Sequence, residues 1–450
     1  MPRIASLSPA QTARQRGGQP SQDEYREPFT LRAGFWGLSA FYFVYCARPQ
    51  EVIPGLSWIP VAKFTGALAL LGLLLSIGRS HRKISDLPRD AYYLVALIAV
   101  LFVSALLSPV WRGGAFFATL EFSKVGILWV LAFLLITSLH RLRRIIYIQA
   151  ASVAVVCLVA LAKGYSVDRL NSVIGGIYSN PNDLAFAIVL SLPLALALLL
   201  TAKTIWVKGL WIAGMLAMGV ALIRTASRAG LIDLAIAGVV CLWEFGIKGK
   251  RFYLIPTAIF VGIAILAISG GTLRERLGLG NEDSISRGDG EATASYEERK
   301  ELMEKALSGI AEYPVLGVGT RNFVVYSGLW LEVHAAYLQI AVEGGIPALI
   351  LYLLFVRAGF VNLKRVRQSQ PVGDAELFRA ALHSSLVGFV VGAAFSPEAY
   401  HFFPYLTVCC SSVLVAITVP VLTPQDLSAH PRSWKSIQGA RTTLARRGFA

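Results

Sequence analysis

Four polar stretches interrupt the long apolar runs of this 450-residue chain, and the residues able to do chemistry lie in or beside them. His334 follows the longest stretch. An imidazole with an unperturbed pKa of about 6.5 can take a proton at neutral pH, although a lone boundary histidine can equally be structural. Tyr337 and then Gln339 and Glu343 follow it, the last two spaced to share one helix face. Glu343 in an apolar segment must face a bundle interior or a polar cavity. Asp233 and His383 pose the same question. Arg228 stands in the short turn Arg224–Gly230 between two apolar runs. It is either an interfacial anchor with its head in water or a fork for a diphosphate, the geometry that guanidinium groups match best.

The elements that must position these groups follow from composition. The chain is 55% hydrophobic and 15% charged, well below the charge of a soluble domain. Disorder, collagen, a disulfide scaffold and an ordinary soluble enzyme are excluded. The expected fold is all-α, a polytopic membrane protein with about twelve transmembrane helices, running from Leu31–Cys46 through Val125–Leu139 as the fourth to Phe402–Val421 as the last. The five cysteines lie in or beside apolar stretches without metal spacing and read as small core residues.

The net charge of +15 is mostly topological. Basic residues cluster in the N-terminal arm (Arg14, Arg16, Arg26), after every second apolar segment (Arg82 and Lys83; Arg141, Arg143 and Arg144; Lys248, Lys250 and Arg251; Lys364, Arg365 and Arg367) and in the C-terminal tail. The positive-inside rule then places both termini in the cytoplasm, and no nucleic-acid partner is needed. The expected organisation is a basic tail over 1–30, nine spans over 31–268, a long outer loop over 269–333, three spans over 334–421 and a second basic tail over 422–450.

The outward stretches are Ala162–Asp183, Arg224–Gly230, Ser269–Val333 and Ser396–His401. Cations there run against topology, which singles out Arg169, Arg224, Arg228, Arg287, Arg299 and Arg321. In the long loop, Asn281–Ser295 reads as mobile. The spacing of Leu302, Met303, Ala306, Leu307 and Ile310 predicts an amphipathic helix over Tyr296–Ala311 on the membrane surface. Gly317-Val318-Gly319 reads as a turn rather than a phosphate loop, because no strand precedes it and no lysine follows in position.

The set Asn180-Pro181-Asn182-Asp183-Leu184-Ala185, Ser227-Arg228-Ala229-Gly230, Tyr313-Pro314-Val315-Leu316-Gly317-Val318-Gly319 and His334-Ala335-Ala336-Tyr337-Leu338-Gln339 with Glu343-Gly344-Gly345 resembles the O-antigen ligase family. That family also holds O-antigen polymerases and protein O-oligosaccharyltransferases. The resemblance covers about Arg169–Val356. It implies an inverting glycosyltransferase of the bacterial inner membrane whose site faces the periplasm. The donor is a glycan on undecaprenyl diphosphate, and the acceptor is a hydroxyl of a glycolipid (a lipid A core sugar) or a protein. No cofactor, nucleotide or metal is implied.

By the same resemblance His334 activates the acceptor and Arg228 holds the donor diphosphate. Arg299 is the second arginine, Arg287 the next choice, and Arg169 a further cation for the donor. Asn180, Asn182, Tyr337, Gln339 and Glu343 support them. The chemistry is coherent: two arginine forks neutralise the leaving diphosphate, and a histidine base typically contributes 10²–10⁴-fold. A polymerase of the same superfamily is the alternative reading. A transporter using Glu343, Asp233 and His383 is a third, disfavoured because no paired repeat is visible.

Overall fold

The computed structural model describes residues 28–53, 55–76, 82–164, 170, 175–269 and 282–419, and all regular structure among them is helical. In chain order the helices are α1 Phe29–Ala47, α2 Val61–Leu74, α3 Arg89–Leu106, α4 Arg112–Leu135, α5 Leu139–Lys163, α6 Pro181–Thr201, α7 Ile205–Thr225 and α8 Arg228–Leu242. A π-helical turn, Trp243–Lys248, extends α8. Then come α9 Leu254–Ser269, α10 Glu282–Glu312, α11 Ala336–Gln368, α12 Asp374–Gly392 and α13 Phe402–Thr418. Among the described residues, seven helices are long and apolar enough to cross a membrane: α3 to α8, the last with its π-helical turn, and α11. The chain is a multi-pass membrane protein. Residues 1–27, the tail 422–450 and Arg169 lie outside the described residues.

Several expected boundaries change, and the last long helix before α12 runs on to Gln368. The fourth helix begins at Arg112, not Val125, because Gly113, Gly114, Glu121 and Lys124 lower the hydropathy of a stretch that is nonetheless helical. The charged pair there is an i,i+3 ion pair, Lys124 with Glu121, which neutralises itself locally. The stretch read as mobile is also helical from Glu282 onward, forming the first half of α10.

Local sequence explains where the helices start. Ser138 Oγ accepts from Arg141 N at the head of α5. Asn180 Oδ1 accepts from Asn182 N at the head of α6, where Pro181 occupies the first turn. Ser227 Oγ accepts from Gly230 N at the head of α8. Each cap supplies a partner to an amide that the helix cannot satisfy itself.

The core is one apolar cluster that draws on most of the helices, with Trp129, Tyr42, Tyr352, Tyr405, Phe378 and Phe389 fully buried. Apolar side chains such as Phe64, Phe117, Leu210 and Phe260 point outward instead, as a lipid-facing surface requires.

Contacts sort the connecting segments into two ends. At one end Arg82 donates to the Phe133 carbonyl at 2.6 Å. Arg143 reaches Asp374 at 3.0 Å and Thr201 at 3.2 Å. Arg379 there bonds Glu244 and Glu376. These residues come from the basic connections after α2, α4, α6, α8 and α11. The turns before α6, before α8 and before α13, with the tail of α1, meet at the other end, where the candidate site lies.

Candidate active site

The end that holds the candidate site is organised by two helix starts. Ser227, while capping α8, donates its hydroxyl to Asn182 Oδ1 at 2.6 Å, and Asn182 sits in the capped first turn of α6. The Asn-Pro-Asn-Asp and Ser-Arg-Ala-Gly segments are therefore one hydrogen-bonded unit. Close approach is possible because residue 230 is glycine: a Cβ there would stand 2.6 Å from Ala185 Cβ. Arg228 opens α8 beside this junction and is exposed. A cation at a helix start, where amides point outward, makes a suitable anion seat. Below it a cavity of about 10 Å³, enough for one water, is lined by Asn182, Ala229, Gly230, Asp233, Gly392 and Ser396. The buried Asp233 carboxylate has no hydrogen-bond partner there.

The second organiser is a break in α11. Gly345 has φ +78° inside an otherwise helical run. The break leaves carbonyls unpaired by the helix, and the Pro314–Gly319 segment takes them: Val318 N donates to Val342 O at 2.8 Å and Gly319 N to Glu343 O at 2.9 Å. In return Ile346 N donates to Pro314 O at 2.8 Å, and Ser104 Oγ on α3 also donates to Glu343 O. A Cβ on Gly345 would lie 2.2 Å from Val315 O, and one on Gly317 2.5 Å from Val342 O. The glycines of this segment thus serve docking of backbone on backbone, in agreement with the turn reading.

The long helix α10 packs on protein. Leu302 and Ala306 are buried with Val318, Phe323, Val333 and Val342, while Met303 and Leu307 stay exposed. The expected helix exists, and the part of its apolar stripe that holds Leu302 and Ala306 covers the start of α11. This docking puts the charge of Arg299 within electrostatic range of His334. Burial lowers the His334 pKa below its usual 6.5, and the positive charge of Arg299 lowers it further, against the opposing effects of Glu298 and the Glu332 backbone. His334 Nδ1 is buried without a hydrogen-bond partner. The segment after it is clamped to α12: Ala336 N donates to Ala393 O at 2.7 Å and Tyr337 hydroxyl to Val390 O at 2.8 Å.

A further polar group gathers beside the α6 start. Tyr400 donates to Glu343 Oε2 at 2.6 Å, and the Arg321 backbone amide reaches the same carboxylate. Arg321 holds a left-handed backbone (φ +58°), a costly conformation for a non-glycine residue. His401 Nδ1 lies 2.5 Å from Glu398 Oε2. Glu398 and Glu332 both act electrostatically on Asp183. Arg48, at the tail of α1, stands over the Gly176 turn, and Tyr178 donates to Cys46 O at 2.7 Å to hold that turn in place.

Residues 213–353 match the family model described as O-antigen ligase. The chain carries an O-antigen ligase domain. No curated protein matches the chain significantly.

The O-antigen ligase domain contains Arg228, Arg299, His334, Tyr337, Gln339 and Glu343. Asn180 and Asn182 precede it but are bonded to it through Ser227. Gln339 is buried with an unpartnered Oε1, facing inward like Glu343. Arg287 falls on α10, but its side chain lies outside the described residues. The three groups read as a transport path have separate neighbours. Glu343 bonds Tyr400, Asp233 lines the small cavity, and His383 lies 3.4 Å from Glu244 at the opposite end.

Sequence reasoning gave no role to Asp183, Arg48, Arg321, Glu398 or His401. The signals were present: Asp183 was inside a noted motif, Arg321 was among the outward cations, and Glu398 and His401 are three apart in a noted turn. Arg48 follows the first apolar run on the side where cations are scarce.

Proposed function

We propose that this protein is an inner-membrane glycan ligase. It transfers an oligo- or polysaccharide from undecaprenyl diphosphate to an acceptor hydroxyl, with inversion at the anomeric carbon. In this reading α1–α9 and α11–α13 are twelve spans, the loop over 269–333 is periplasmic, and both tails are cytoplasmic. Arg228 and Arg299 hold the diphosphate and neutralise it as it leaves. His334 takes the proton of the acceptor hydroxyl as its oxygen bonds to the anomeric carbon. The polyprenyl chain stays in the bilayer, which accounts for a site at the membrane edge.

The observation that supports this most is the docking of α10 on the start of α11 through Leu302, Ala306 and Val342, which puts the Arg299 charge within electrostatic range of His334. The test is transfer in membranes: His334→Ala should lose about 10²–10⁴-fold, and a variant working at the wild-type rate ends the proposal. Products separate ligase from polymerase. Loss of a ligase leaves long lipid-linked chains, whereas loss of a polymerase leaves single repeat units.

A further inference from the structure

A groove between α1 and α5 takes no part in the Arg228, Arg299 and His334 chemistry. The two helices are tied where Tyr42 donates to Gln149 Oε1 at 2.5 Å. Beside that bond, and reaching on towards the end that holds the candidate site, lies a cavity of about 290 Å³. Small side chains of α5 line it, among them Ala151, Ser152, Val155 and Val159. Phe43 of α1 and the short helix Pro49–Val52 complete the lining. Phe43 and Val155 keep 48% and 54% of their surface exposed, so the cavity opens to the medium around the bundle. Because α5 is long and apolar enough to cross a membrane, that medium is hydrocarbon.

An apolar cavity does not hold water, and this one lies near the lower end of the size of ligand cavities, about 300–1,000 Å³. Its lining on α5 begins at Tyr147 and ends at Val159, about 18 Å along the helix axis. One leaflet's share of the hydrocarbon is about 15 Å. The groove therefore has the length of one acyl chain in one leaflet.

Charge marks one end of it. The lining residues Ser152, Val156 and Val159 continue on the same helix face into Lys163, which is exposed in the last turn of α5. That turn lies on the side of the candidate site, since Arg224 Nη2 donates to Gly164 O at 3.2 Å. Arg48, between the lining residues Ala47 and Pro49, is a second cation at this level. Its guanidinium rests on the Gly176 turn, and its Nε is buried without a hydrogen-bond partner. The Glu51 carboxylate beside it is turned to Gly175. A slot of acyl length that ends in cations complements a hydrocarbon chain with a phosphate at its head.

We propose that this groove binds one acyl chain of an anionic glycerophospholipid from the leaflet on the candidate-site side, with the phosphate on Lys163. The groove is one leaflet long and lies wholly outside the matched residues 213–353, which sets it apart from a site for the polyprenyl donor. The bound chain fills the space between α1 and α5 and steadies the tail of α1. That tail holds the turn before α6 through the Tyr178 bond to Cys46 O. The lipid is thus a structural ligand of the frame around the site, not a substrate, and the assignment stands apart from the ligase reading.

The experiment is native mass spectrometry with thermal unfolding on the purified, delipidated full-length protein in detergent. It is titrated with phosphatidylglycerol, phosphatidylcholine or undecaprenyl phosphate. Wild type should take up one phosphatidylglycerol in preference to phosphatidylcholine, with a rise in Tm. Val155→Trp fills the groove from an exposed position and should lose this lipid, whereas Leu210→Trp, exposed on α7 outside the groove, should keep it. Lys163→Gln should weaken phosphatidylglycerol about five-fold and leave phosphatidylcholine unchanged. The proposal is overturned if wild type shows no preference for phosphatidylglycerol, if Val155→Trp binds it as wild type does, or if Leu210→Trp loses it as well. It is also overturned if Lys163→Gln keeps the full preference, or if undecaprenyl phosphate displaces the bound phosphatidylglycerol at equal concentration, which would give the groove to the donor.

Discussion

Ser227 and Asn182 face each other across 2.6 Å, hydroxyl to amide oxygen, and through this bond the first turns of α6 and α8 become one rigid unit. The same hydroxyl caps α8 by accepting from Gly230 N at 3.0 Å. Ser227→Ala removes both interactions. Loss of an N-cap costs about 0.5–2 kcal/mol, and an intramolecular hydrogen bond adds about 1 kcal/mol. Thermal unfolding in detergent should show a clear drop, and Ser227→Thr should restore most of it.

Gly345→Ala tests the broken helix. The position needs φ +78°, and a methyl group would strike Val315 O. Strain of about 1–3 kcal/mol is expected from the backbone alone, with the clash in addition. The yield of folded protein and its melting temperature should both fall. Gly262→Ala on α9, where a Cβ meets nothing within 4 Å, should be neutral or slightly favourable.

The rate should depend on pH through His334. Its neutral form is the base, so the rate rises as pH passes through its pKa, and burial followed by the Arg299 charge puts that pKa below 6.5. Arg299→Gln removes a cation, raises the pKa, and should move the acid limb of kcat/KM to higher pH. Arg299→Lys keeps the charge and should leave the limb in place, while donor KM rises because the planar fork is gone.

At the opposite end the Arg379 guanidinium, almost fully buried, bonds Glu244 at 2.7 Å and also Glu376. Arg379→Met strands the buried Glu244 carboxylate with Lys248 as its remaining Lys or Arg partner, and should cost about 3–5 kcal/mol. Adding Glu244→Gln should cost less than the sum of the single changes. A double-mutant cycle on thermal stability measures the coupling.

The helical architecture was largely legible because hydropathy is a local property: apolar runs such as Leu184–Thr201 and Leu231–Phe245 coincide with α6 and α8. The start of α4 was hidden by charges that cancel each other within one turn. The motif residues were legible as types, but not their mutual contacts. Gly317 and Gly345 look like ordinary turn glycines until the two backbones are seen to interlock. The i,i+3 spacing of Glu398 and His401 was visible in its turn, but the approach of Asp183, from more than two hundred residues earlier, is carried by no local pattern. The packing of α10 was illegible for a related reason: Leu302 and Ala306 meet protein, while Met303 and Leu307 stay exposed. An amphipathic stripe specifies that something apolar will cover it, and only the fold decides whether that is a bilayer or the neighbouring helix.

The interruption at Gly345 divides α11 into a short cap and a long shaft, and the Pro314–Gly319 segment bonds to both, to the shaft through Ile346 N on Pro314 O. The cap, Ala336–Gly344, is fastened to α12, α3 and the Pro314–Gly319 segment, whereas the shaft runs on to Gln368. One backbone strap therefore sets the angle between the two halves of α11, and the segment that leads into it from α10 is held by the same bonds.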